Sequence, residues 1–75
     1  MKITKMYDGR TVGEMDAGRK FFIRAEFSEN NHNYVGFKDG DKYRFSRLVI
    51  NGNGYKKMYL VPRKSRLEKD MLNLI

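Results

Sequence analysis

Between residues 19 and 27 the chain reads RKFFIRAEF, and its side chains sort into two sets. With the two-residue period of a strand, Phe21, Ile23, Ala25 and Phe27 line one side, and Lys20, Phe22, Arg24 and Glu26 the other. The first side is a core face; the second sets cations around an aromatic ring. Three turn signals divide the rest: Asp8-Gly9, Asp39-Gly40 and the NGNG run from Asn51 to Gly54, each flanked by strand-like residues. They predict three hairpins, joining KITKMY to RTVGEM, NYVGFK to DKYRFSRLVI, and RLVI to YKKMYLV. Pro62, the single proline, stands where the last strand should end.

A slip of one residue moves every side chain to the opposite face, so the hairpin registers test one another. A simple two-residue turn at Asp39-Gly40 would set Val35 opposite Arg44 and Phe37 opposite Lys42. A type I turn with a glycine bulge at Gly40 pairs Val35 with Tyr43 instead, and gathers Val35, Phe37, Tyr43 and Phe45 on one face. A turn centred on Gly52 and Asn53 pairs Ile50 with Tyr55 and Phe45 with Leu60, so that Tyr43, Phe45, Val49, Met58 and Leu60 share a face. The two hairpins select the same face, which predicts an antiparallel meander from residue 19 to residue 61.

After Pro62 the period changes. In RKSRLEKDMLNLI, Ser65 and Glu68 have the spacing of a capping box, and Leu67, Met71, Leu74 and Ile75 fall on one helical stripe. So short a helix is not stable alone, so the stripe is expected to pack on the sheet, with a second copy of the chain as the other cover. The reading is mainly β: one small domain over residues 1–75, a small antiparallel sheet or partly open barrel of about five strands with a short C-terminal helix. Residues 62–75 are the basic junction and the amphipathic helix.

Seventy-five residues bury only about 60% of the surface of the unfolded chain, which leaves a small core and no cleft between domains. There is no cysteine, hence neither a disulfide framework nor a cysteine-ligated zinc site to reinforce it. Nothing in MKITKMYDGR resembles a signal peptide, and no apolar run approaches the roughly 20 residues of a membrane span. A soluble, cytoplasmic protein without a membrane partner is therefore expected.

Charge gives the candidate chemistry. Sixteen Lys and Arg against nine Asp and Glu leave a formal +7, which favours a polyanionic partner. The non-core face of the predicted sheet carries Lys20, Phe22 and Arg24, then Arg44 and Ser46, then Tyr55, Lys57 and Tyr59. Cations interleaved with rings are what binders of single-stranded nucleic acid use: bases stack on the rings while Lys and Arg follow the phosphates. Leu48, Ile50 and Val61 fall on the same face, which implies that part of it is covered. A second cluster, Arg63, Lys64 and Arg66, precedes the helix, where backbone N–H groups also attract anions. Lys38, Lys42, Lys56 and Arg47 extend the basic surface and would add salt-sensitive affinity.

Catalytic constellations are lacking. His32 is the only histidine and is expected in a loop, SENNHNY, with no second ligand to share a metal. The carboxylates fall mostly in turns or on solvent faces, DGDK lacks the rest of a calcium loop, and NGNGYKK lacks the spacing of a phosphate-binding loop. No enzyme activity, cofactor or metal is expected. The first functional reading is a small basic module binding single-stranded nucleic acid or RNA. Low sequence specificity is expected, because no recognition helix offers Arg, Asn or Gln to base edges. The second is a protein-binding inhibitor or adaptor, of phage or mobile-element type, that docks its basic face on an acidic partner. Self-association through the helix or a sheet edge is compatible with both.

Overall fold

A computed structural model describes residues 1–14, 18–50, 52–53 and 56–75, with Lys56 described by its backbone alone. The elements are β1 (Lys2–Met6), β2 (Val12–Glu14), β3 (Lys20–Glu29), β4 (His32–Asp39), β5 (Lys42–Ile50), β6 (Lys56–Leu60) and α1 (Arg66–Leu74). They form one open antiparallel sheet in the order β1-β3-β4-β5-β6, with β2 also paired to β3. The meander expected over residues 19–61 is present as β3 to β6, and the single helix follows it.

Turn chemistry decides the registers. Asn30 and Asn31, at φ 49° and 64°, make the two-residue connection of a type I′ turn and pair Glu29 with His32. His32 therefore opens β4 and does not lie in a loop. At the next turn Gly40, at φ 65°, takes the first central position, as a type II′ turn requires, and Asp39 pairs with Lys42. This overturns the bulged register: Val35 lies opposite Ser46 and Phe37 opposite Arg44, while Phe45 meets Gly36. The third hairpin is also displaced by one residue from expectation, with Ile50 opposite Lys56 and Leu60 opposite Ser46. The expected partner of Ile50, Tyr55, lies outside the described residues, as do Asn51 and Gly54 of the turn.

The first predicted hairpin does not form. β1 pairs with residues 25–28 of β3 and β2 with residues 20–22, so the two are successive pieces of one interrupted edge strand. The interruption is an Asx turn: Arg10 N donates to Asp8 Oδ1 at 2.9 Å, and Gly9 sits at φ 87°. On either side of it Tyr7 N donates to Arg24 O and Ile23 N to Thr11 O, both at 2.9 Å, which carries the edge past the turn.

β3 carries a bulge between Ile23 and Ala25, and it splits the RKFFIRAEF pattern. Phe21 and Ile23 belong to one face, with Val35, Phe37, Leu48 and Met58; the Phe21 and Phe37 rings lie 4.5 Å apart. Ala25 and Phe27 belong to the other, with Tyr34, Phe45, Val61 and Met71. The predicted single core face is thus two smaller ones on opposite sides of a twisted sheet. Gly36 lies under the second cluster, where a Cβ would stand 3.0 Å from both the Phe27 and the Phe45 ring. Its lack of a side chain lets those rings meet edge to face, 5.8 Å apart.

The helix covers this second cluster. Ser65 Oγ accepts from Glu68 N at 3.2 Å and Glu68 Oε1 accepts from Lys64 N at 3.1 Å, a capping box whose return bond reaches one residue further back than usual. Met71 is fully buried, with Leu67 and Ile75 packed beside it. Leu74, placed on the same stripe by spacing, is 40% exposed. Burial of the Met71 side chain contributes about 1.5–3 kcal/mol, which anchors a helix of nine residues that could not persist alone.

Candidate nucleic-acid interface

On the helix-covered face, the register aligns three cross-strand rows. Phe27, Tyr34, Arg47 and Tyr59 form one, Ala25, Gly36 and Phe45 the next, and Phe22, Lys38 and Tyr43 the third. The middle row is core, and the third lies beyond it at the Asp39–Lys42 end of the sheet. Phe22 is 52% exposed there, and Tyr43 is half-buried against the edge of the cluster.

Two cavities flank this third row and share Tyr43 as a wall. One, of about 360 Å³, is bounded by Gly9, Phe22, Ile23, Arg24, Lys38 and Tyr43. The bulge supplies Arg24 as its extra residue, and the Asx turn at Asp8 brings Gly9 to the rim. The other, of about 260 Å³, is bounded by Lys42, Tyr43, Arg44, Arg63, Glu68 and Leu72. Arg44 would point to the far face by register, but β6 ends opposite Ser46. Past that end Val61 N still donates to Phe45 O at 2.8 Å, and Arg44, the next residue along β5, lines the cavity.

Five cations thus converge on two rings, with Glu68 the single carboxylate among the lining residues. Two of the guanidinium groups are incompletely satisfied: the Nε atoms of Arg24 and Arg44 are buried and have no hydrogen-bond partner.

Of the ten residues singled out from sequence, the structure brings Phe22, Arg24, Arg44 and Arg63 around the two cavities. Lys57 and Tyr59 share the helix-covered face by register but stand on β6, away from the cavities, and Lys20 lies at the end of β3 opposite Glu14. Lys64 and Arg66 are exposed beside the helix start without lining either cavity. Ser46, expected beside Arg44 on a binding face, is completely buried. Tyr55 lies outside the described residues.

The bulged register places Tyr43 in the core, and charge alone marks Lys38 and Lys42 only as extensions of the basic surface. The signal that finds them is the glycine at position 40, which fits a two-residue turn over Gly40-Asp41 and flips the start of β5. Among the described residues no group of three His, Asp or Glu side chains is placed to hold a metal ion, and no helix is long and apolar enough to cross a membrane. Comparison with protein-family models, curated proteins and solved structures finds no match.

Proposed function

We propose that this chain is a small basic nucleic-acid-binding module, without catalytic activity, that takes single-stranded nucleic acid in the groove over Tyr43. The observation that carries the reading is the convergence of Arg24, Lys38, Lys42, Arg44 and Arg63 on the exposed ring of Phe22 and on Tyr43. The net charge of +7 adds long-range attraction for a polyanion. A duplex keeps its bases stacked inward, whereas a single strand can offer one to a recessed ring, so single strands are favoured. Low specificity follows from the few groups able to read a base edge.

The test is fluorescence anisotropy with labelled single-stranded RNA, single-stranded DNA and duplex DNA, from about 50 to 200 mM salt. Binding that prefers single strands and survives the higher salt supports the reading. Affinity that vanishes with salt and ignores strandedness removes it.

A protein partner is the second reading, and the open β6 edge favours it. Tyr59 and Leu60 are each more than half exposed there, near Lys57, and Ile50 is exposed at the adjoining end of β5. An extended acidic segment of a partner would add to such an edge as a further strand. Recovery of one acidic protein at physiological salt after nuclease treatment would support it; recovery of none would remove it.

A further inference from the structure

The groove has an internal division. Its larger cavity carries Phe22, more than half exposed, with Lys38 between it and Tyr43 in the same cross-strand row. Neighbouring strands are about 4.8 Å apart, so the backbones of Phe22 and Tyr43 stand roughly 10 Å from each other, with Lys38 on the strand between. At about 360 Å³ this cavity is at the small end of ligand pockets, room for one base. The smaller cavity has no ring except the shared Tyr43, and Lys42, Arg44 and Arg63 line it.

We infer that the two cavities form one nucleotide subsite, in which Phe22 stacks a base in the larger cavity while Arg44 and Arg63 hold the adjoining phosphate in the smaller, across Tyr43. This inference rests on the nucleic-acid reading above and divides its site by chemistry. The guanidinium of Arg63 comes from the segment after Pro62, so the helix junction and the sheet each supply half of the phosphate clamp. Lys38, a wall of the larger cavity, serves the sugar-phosphate backbone entering from the β4 side. Glu68, fixed by its bond from Lys64 N, closes the phosphate cavity on the helix side, where its charge limits the cavity to a single phosphate.

The experiment compares a short oligo(dT) with an abasic strand of the same length, from about 50 to 200 mM salt, on the wild type, Phe22→Leu, Phe22→Tyr and Arg63→Gln. Because Phe22 is half exposed, both its variants should fold. Phe22→Leu should weaken oligo(dT) binding about tenfold and leave the abasic strand unchanged, while Phe22→Tyr keeps the wild-type affinity. Arg63→Gln should weaken both strands by a common factor and reduce the salt slope by about 0.7. If Phe22→Leu weakens both strands equally, or neither, the division is wrong although nucleic-acid binding stands. If the wild type binds neither strand, the functional reading fails with it.

Discussion

Adding one methyl group at Gly36 tests the packing that positions the groove. Gly36 is buried in the middle of β4, with φ outside the left-handed region, so nothing in its backbone demands glycine. Replacing such a glycine by alanine usually stabilises, by about 0.4–1 kcal/mol, because the unfolded chain loses freedom. Here the new Cβ would stand 3.0 Å from Phe27 Cε2 and from Phe45 Cε1, with Phe45 Cδ1 at 3.2 Å. Both rings are 1% exposed, and their edge-to-face contact at 5.8 Å leaves neither room to withdraw. Overpacking of this kind costs about 1–3 kcal/mol. The net for Gly36→Ala is then a destabilisation of about 1 kcal/mol, or a fall of roughly 5 °C in Tm for a domain this small. Gly52→Ala is the control, since a Cβ there meets nothing within 4 Å. Thermal and urea unfolding followed by circular dichroism would measure both. A Gly36→Ala variant as stable as the wild type, or more so, would refute the close approach of the two rings over β4.

Met71→Ala should destabilise by about 2–5 kcal/mol, because the side chain is fully buried in the cluster beneath the helix, and urea midpoints would show it. Lys64 adopts a left-handed conformation at φ 63°, so Lys64→Gly should raise stability by about 1 kcal/mol in the same titration, despite the loss of a surface charge. The Tyr7 hydroxyl donates to Glu26 Oε2 at 2.6 Å; that bond, partial burial and the carboxylate charge raise its pKa above the ordinary 10.0. A raised folded-state pKa contributes stability that is complete below pH 10 and is lost as pH climbs through the folded value. Tyr7→Phe should therefore lower stability at neutral pH while flattening the alkaline decline, as unfolding midpoints between about pH 8 and 11.5 would report.

Much of the fold was legible because it rests on local chemistry. The meander follows from turn residues and alternating strands, and the helix start from Ser65 and Glu68, whose side chain and backbone satisfy end groups that the helix itself cannot. The registers were less legible, for a physical reason: a glycine near a turn fits several loop lengths, and only cross-strand packing selects among them. Gly40 serves a plain two-residue connection, and a separate bulge at Arg24 on β3 means that the alternation in RKFFIRAEF hides a change of face. The candidate site inherited that error. Phe22 and Arg24 stand together beside one cavity, but Tyr43 replaces Tyr59 as their aromatic neighbour. Arg44 lines the smaller cavity although its register pairs it with Phe37 on the opposite face, which no local pattern records.

The most direct test of the account is a map of where single-stranded nucleic acid touches the protein. Titrating an isotopically labelled sample with a short single-stranded oligonucleotide, and following amide shifts, resolves the surface residue by residue. Shifts should concentrate at Phe22, Arg24, Lys38, Tyr43, Arg44 and Arg63, with Lys57 and Tyr59 on β6 unmoved. Shifts centred on β6, or none at saturating ligand, would contradict it.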